Sequence, residues 1–194
     1  GNKKKVKLIE EQDNSVKAEV LDTYPATTRP KPAINLGPGI VRNKAMKTII
    51  DQATSLGTEK LSPLKMQNCI KYNFRRDKFV KKAIQSAKQS GNARLPKIEE
   101  PCSIEKWVQN VDDRNLKLVA YQEANSTMAE VCTAYPETDD VAVLVGPEGG
   151  IHNDELEIAK DNGFIPVNVS PFRLRAELAV TNILSGLYHL YDHN

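Results

Sequence analysis

The sequence predicts an α/β domain built on a mainly parallel sheet flanked by helices, with a small β segment in front of it. Three observations carry that prediction. From residue 33 onward, short stretches of β character alternate with stretches of helical period, the order that βαβ units require. The run Val141-Ala142-Val143-Leu144-Val145 is apolar at every position, as in a strand buried on both faces. Glycines stand just past helix-period stretches at 57, 91 and 163, where helices stop.

Each element follows in chain order. Residues 6–11 and 16–21 read as strands of a hairpin around Gln12-Asp13-Asn14-Ser15, because Asp and Asn favour such turns. Pro25, Pro30 and Pro32 make the segment after Tyr24 a stiff linker. A boundary is therefore expected there, with a β module and linker over 1–32 and an α/β domain over 33–194. A lone hairpin is marginal in water, so 1–24 is expected to be an edge or remnant of a larger β module.

Ala33 to Leu36 is a strand. Residues 43–56 form a helix with Ile49, Ile50, Ala53 and Leu56 inward. Lys60 to Met66 is extended. Residues 75–90 form a second helix with Phe79, Val80, Ala83, Ile84 and Ala87 inward. Residues 103–109 form a short helix around Trp107, read as a core or dimer-contact residue before a base-stacking one. Leu116 to Tyr121 and Val141 to Val145 are strands, with a short helix near 126–132 between them. Residues 153–162 form a helix with Asn153 as its cap, and Ile165 to Val169 is a strand. Residues 175–190 form the last helix, with Leu178, Ala179, Ile183, Leu184 and Leu187 inward.

Composition narrows the class. The 194 residues are 40% hydrophobic and 27% charged, as in a soluble globular protein. The longest clean apolar run has five residues, against the roughly 20 a membrane helix needs. Gly-Asn-Lys-Lys-Lys at the start leads into no apolar stretch, so no secretory signal is expected. The cysteines at 69, 102 and 132 form no Cys-x-x-Cys pair. They argue against a disulfide frame or a zinc site and fit a reducing cytoplasm. His189 and His193 lack a third ligand, and no metal is expected.

The net charge of +2 conceals a strong asymmetry. Residues 65–97 hold ten basic side chains and one acid, Asp77, whereas 98–194 hold six basic and 17 acidic ones. The second helix turns much of the basic block into one face, Lys78, Lys81, Lys82 and Lys88, beside Arg75 and Arg76. Such a face suits a nucleic-acid backbone, or is simply solvated.

In open α/β sheets, ligands bind beyond the carboxyl ends of the strands. Three loops qualify: 121–125, 146–150 and 169–174. Gly146-Pro147-Glu148-Gly149-Gly150 is neither a dinucleotide Gly-x-Gly-x-x-Gly nor a phosphate-binding loop, since no Lys-Ser/Thr follows. It reads either as a tight strand-to-helix turn or as backbone that a flat ligand approaches closely. Arg175 and Glu177 open the last helix. Their spacing fits a helix-terminal ion pair. It equally fits an arginine that stabilises charge on a carbonyl oxygen beside a carboxylate that orients it or takes a proton.

Val145-Gly146-Pro147-Glu148-Gly149-Gly150 followed by Leu174-Arg175-Ala176-Glu177-Leu178-Ala179 resembles the RsmE-like ribosomal RNA (uracil-N3)-methyltransferases of the SPOUT superfamily. Lys47 to Gly57 and Ala83 to Pro96 extend the resemblance over about 33–190. The resemblance implies a SPOUT-type trefoil-knotted sheet and a remnant of an N-terminal PUA-like β-barrel, hence a longer natural chain. It implies a homodimer acting on small-subunit ribosomal RNA, with S-adenosyl-L-methionine as cofactor. The cofactor would lie on Tyr121, Gln122, Val145, Gly146, Pro147, Glu148, Gly149, Gly150, Val169, Ser170, Pro171 and Leu174. Arg175 and Glu177 would be catalytic, and Arg75, Arg76, Lys78, Lys81, Lys82 and Lys88 would hold RNA. Three positions depart from the family pattern: Ser170 stands for glycine, Leu178 for threonine, and His152 for a small polar residue. Two alternatives remain at this level: another SPOUT enzyme acting on transfer RNA or a ribose 2′-hydroxyl, and a noncatalytic RNA-binding or ribosome-assembly protein.

Overall fold

A computed structural model describes residues 2–25, 30–70, 74–113 and 116–191. Strands β1 (Asn2–Gln12) and β2 (Ser15–Pro25) form the hairpin, antiparallel and longer than the sequence suggested, with Gln12 opposite Ser15 across the turn. Both strands are exposed along their whole length, and Val6, Leu8, Ile9, Val16, Val20, Leu21 and Tyr24 stand open to solvent. Within the linker, Ala26 to Arg29 lie outside the described residues, as does His193.

The α/β part follows as β3 (Ala33–Pro38), α1 (Asn43–Ser55), β4 (Lys60–Leu61), β5 (Leu64–Lys65), α2 (Arg76–Ser90), β6 (Lys97–Ile98), β7 (Cys102–Ser103), α3 (Ile104–Gln109) and β8 (Leu116–Ala120). Then come α4 (Met128–Ala134), β9 (Asp140–Val145), α5 (Asn153–Asp161), β10 (Ile165–Val167) and α6 (Ala176–Tyr191). The main sheet runs β10-β8-β9-β3-β4-β6, with every neighbouring pair parallel. β5 and β7 make a second, short parallel pair.

Parallel sheets need cover on both faces, and the strand residues divide accordingly. Val141, Val143 and Val145 of β9 join Ile34, Leu36, Leu116 and Leu118 in one core, against Ile49 and Ile50 of α1, Phe79 of α2, Val131 of α4, and Ile183 and Leu184 of α6. Ala142 and Leu144 of β9 and Val119 of β8 face the other core, with Trp107 and Val108 of α3 and Leu156 and Ala159 of α5. Trp107 is therefore a core residue. Its indole lies over Gly37, where an added Cβ would sit 2.7 Å from the ring, and its ring centroid is 5.4 Å from that of Phe164. Cys132 is buried, Cys69 and Cys102 are half-buried, and all three are free thiols.

Three expectations about faces and caps are corrected. Ile84 and Leu178, expected inward, are 37% and 49% exposed. In α2 the buried positions are Phe79, Ala83, Ser86 and Ala87, because Ser86 turns in to donate to Asp51 on α1. In α6, Val180 takes the buried place assigned to Leu178. The cap of α5 is His152, not Asn153: its Nδ1 accepts the Asp154 N–H at 3.3 Å, and Glu155 reaches back to the His152 N–H.

Asp51 ties α1 to α2. It accepts from Lys82 Nζ at 2.7 Å and from the Ser86 hydroxyl. These two bonds hold its carboxyl below the ordinary value of 3.8. A depressed carboxylate contributes stability above the unfolded-state value and loses it as pH falls through the folded one. Asp51→Asn is thus expected to lower the melting temperature at neutral pH. The gap to wild type should close as the pH falls below 3.8. Melting curves across that range check this, and a gap independent of pH would contradict it.

Candidate active site

One cleft of about 1070 Å³ opens at the carboxyl ends of β8, β9 and β10, with the start of α1 in its wall. This is where an open parallel sheet binds ligands. Its lining takes in Tyr121, Gln122, Val145, Gly146, Pro147, Glu148, Gly149, Gly150, Val169, Leu174, Arg175 and Glu177. Three loops far apart in sequence thus meet at one site, as read from the strand ends. Ser170 and Pro171 are not part of the lining.

The glycine loop is shaped by the protein around it. A Cβ at Gly146 would meet Ile151 Cγ1 at 2.7 Å, and one at Gly149 would meet Asn68 Cβ at 2.8 Å and its carbonyl oxygen at 2.9 Å. Gly150 has φ +79°, a left-handed conformation that side chains resist. The glycines are therefore demanded first by packing against the loop's own neighbours. Asn68 Nδ2 donates to the carbonyls of Gly149 and Gly150, at 3.2 and 3.3 Å. Glu148 accepts the Arg42 N–H at 3.0 Å, which brings the start of α1 against the loop. Below, the buried Glu155 accepts from Gln67 N–H at 2.8 Å and His152 N–H at 3.1 Å. Glu155 thereby joins the segment carrying Asn68 to the start of α5.

The loop after β10 is held by its own polar side chains. Asn168 Nδ2 donates to the Gln122 carbonyl at 2.8 Å, and Gln122 Nε2 donates to the Ser170 carbonyl at 3.2 Å. Ser170 N–H donates to Asn168 Oδ1 at 2.9 Å, while Ser170 Oγ accepts the Phe172 N–H at 3.1 Å. The serine that replaces glycine thus turns into its own loop and does not narrow the cleft. Leu178 likewise lies outside the lining, which Ala179 joins instead. Burial and the Glu123 carboxylate, 3.3 Å from its oxygen, push the Tyr121 hydroxyl above its ordinary value. Among the described residues no salt bridge joins Arg175 to Glu177, although the spacing allowed one. Both side chains remain available to a ligand.

The basic face of α2 divides. Arg75, Lys78, Lys81 and Lys88 are exposed. Arg76 Nε donates to the Ile98 carbonyl at 2.8 Å and lies 3.8 Å from Glu100, and Lys82 is bound to Asp51. The sequence reading missed Asn68, Glu155, Arg42 and Lys44, the last two of which line the cleft. Only Glu155 carries a local signal, its capping bond to the His152 N–H; otherwise these residues reach the site through pairings about 80 or more residues away, or through the placement of α1.

A family model described as an RNA methyltransferase domain matches residues 28–187. The chain is similar to the ribosomal RNA small subunit methyltransferase E of Buchnera aphidicola subsp. Acyrthosiphon pisum, 26% identical over 164 residues. That match covers 81% of this chain and 64% of the relative. The same enzyme from Buchnera aphidicola subsp. Schizaphis graminum is 31% identical, over 79% of this chain and 64% of its own length. The chain thus spans just under two thirds of these relatives. Its fold is similar to the crystal structure of a ribosomal RNA small subunit methyltransferase E from Neisseria gonorrhoeae bound to S-adenosyl methionine, with TM-score 0.92 and 20% identity. That likeness covers 100% of this chain and 81% of the other.

Two variants probe the loop. Asn68→Ala removes the donor to two solvent-accessible carbonyls and is expected to cost about 0.5–1 kcal/mol. Gly149→Val forces a clash with Asn68 and is expected to cost about 1–3 kcal/mol. Both should speed amide exchange over residues 146–150 more than in the β9 core, as hydrogen-exchange mass spectrometry would record. Uniform exchange across both regions would mean that Asn68 does not brace the loop.

Proposed function

The chain belongs to the RNA methyltransferase domain family, and on that premise we propose that it methylates N3 of a uridine in small-subunit ribosomal RNA, using S-adenosylmethionine. The observation that carries this reading is the convergence of the glycine loop with Arg175 and Glu177 on one cleft at the strand ends. The cleft suits such a cofactor. Ala120, Val145, Ile151, Val169, Leu174 and Ala179 give apolar walls for a flat base, while loop backbone and polar side chains line the rest. When bound, the cofactor supplies a methyl group on a sulfonium.

Uracil N3 keeps its proton at neutral pH, so the protein must help that proton leave. Its loss spreads negative charge over the O2 and O4 carbonyls. Arg175, free of any ion pair to Glu177, stabilises that charge, and Glu177, unpaired with it, accepts the proton. The loops hold donor and acceptor in line, an effect worth about 7 kcal/mol or more. Arg75, Lys78, Lys81 and Lys88 offer the RNA backbone four exposed cations. Arg76 and Lys82 serve α2 packing first.

The remaining parts of the reading follow the family. Residues 33–194 form a trefoil-knotted catalytic domain that works as a homodimer in the cytoplasm. Residues 1–32 form part of a PUA-like RNA-binding module and its linker. The apolar side chains exposed along β1 and β2 support that assignment, since a barrel would cover one face of the hairpin.

Calorimetry with S-adenosylmethionine comes first, and a dissociation constant in the micromolar range is expected. With ribosomal RNA as substrate, nucleoside analysis should then find 3-methyluridine. A ribose 2′-O-methyl product, or labelling of transfer RNA alone, would favour the other SPOUT activities; absence of cofactor binding by the folded chain would leave the noncatalytic RNA-binding reading. Arg175→Ala should lower turnover about 100-fold or more. Its cofactor affinity should stay within a few fold of wild type.

A further inference from the structure

We infer that Arg42 and Lys44, at the start of α1, hold the phosphate backbone of the RNA strand that carries the target base into the cleft. This deepens the functional reading above and rests on it. Four cations line the cleft: Arg42, Lys44, Arg173 and Arg175. None takes part in a salt bridge among the described residues. The acids of the same lining are partly engaged. Glu148 is bonded to the Arg42 N–H and Glu123 to the Tyr121 hydroxyl, so neither is matched to one of these cationic side chains.

The start of α1 is met from outside by the Glu148 carboxylate, on the Arg42 N–H. The helix's own first turn holds no acid, and Arg42 gives it no side-chain cap. By contrast, α3, α4 and α5 each have a capping side chain and an acid in the first turn. The start of α1 therefore carries two exposed cations and no acid of its own.

The ligands already assigned do not account for that charge. S-adenosylmethionine carries a sulfonium, an ammonium and one carboxylate, so it is a net cation that needs one positive partner at most. Uracil is neutral until N3 loses its proton, and Arg175 meets that charge. Arg173 sits over the glycine loop, its Nη2 3.9 Å from where a Cβ at Gly150 would lie. Arg42 and Lys44 line the same cleft, with no ion pair to their side chains among the described residues. An RNA strand delivers one phosphate on each side of the target nucleotide, and these are the anions the pair would meet. The cleft, about 1070 Å³, stands at the upper end of the roughly 300–1,000 Å³ range of ligand pockets. The backbone bond from Arg42 to Glu148 would fix this phosphate clamp to the glycine loop, and so to the methyl donor.

The test compares wild type with the double variant Arg42→Ala, Lys44→Ala, which keeps the Arg42 N–H on Glu148. Cofactor affinity is measured by calorimetry and binding of small-subunit ribosomal RNA across a salt series. The variant's salt slope should fall by about 1.4, from two contacts at about 0.7 each for single-stranded RNA. KM for RNA should rise about tenfold, with kcat and cofactor affinity within about twofold, because the contact is to a phosphate and not to the reacting base. Arg42→Lys, Lys44→Arg should restore the slope. With a functional wild type, an unchanged slope overturns the inference. A loss confined to cofactor affinity also overturns it, by placing the pair on the cofactor carboxylate. A folded wild type that binds neither cofactor nor RNA overturns the functional reading and this inference together.

Discussion

β9 is paired with β3 from Asp140 to Val145 and with β8 from Val141 to Val145, and both of its faces lie under helices. A strand held on both edges and both faces carries a polar side chain only where a partner meets it, as Asp113 meets the buried Lys117 of β8. Polar chemistry is thereby pushed to the end of the strand, where Gly146 begins. The same constraint places the neighbouring loops. β8 ends at Ala120 beside Val145, and β3 ends at Pro38 beside it on the other edge. Gly39 N–H then donates to the Val145 carbonyl at 2.7 Å. The cleft is thus a consequence of register: three strands stop at the same level, and their loops have one direction in which to open.

This explains what was legible in the sequence. The apolar run 141–145, the alternation of elements and the glycines after helices are local signals, and they gave the layers and most element bounds. The loops at the strand ends were equally legible, because strand direction in a parallel sheet determines which loops share an edge. What failed was finer. Ile84 and Leu178 match a helical stripe by period, but tertiary contacts chose Ser86 and Val180 for burial instead. Asn153 is the usual type of cap, yet its neighbour His152 supplies the acceptor, because Glu155 completes the box with His152. Asn68, and the bond of Glu155 to Gln67, could not be read at all, since these partners lie about 80 or more residues away.

Charge shows the same limit. Sequence arithmetic isolated a strongly basic segment, but it could not separate cations spent on packing from cations left free. Lys82 satisfies Asp51, and Arg76 satisfies a backbone carbonyl. Meanwhile Arg42 and Lys44 lie outside that segment, in a part of the chain whose net charge is unremarkable, and are brought to the cleft by α1. A charge count along the chain finds surfaces made by one element. It misses those assembled from several.

The residues that depart from the family pattern can be weighed by where their side chains point. Ser170 spends its hydroxyl on the Phe172 N–H, so a rigid turn is made by a side chain instead of by glycine. His152 caps α5, the task a small polar residue performs at a helix start. Leu178 faces away from the cleft, and Ala179 takes the lining position. None of the three removes a group from the cleft wall. The glycines tell the converse story. Gly146 and Gly149 are held by clashes with Ile151 and Asn68, so they would be required even of a chain that had lost its ligand. The loop motif alone therefore argues less for catalysis than its familiarity suggests. The weight falls on Arg175 and Glu177, which lie in the cleft without pairing to each other, so that both groups are free for the chemistry proposed.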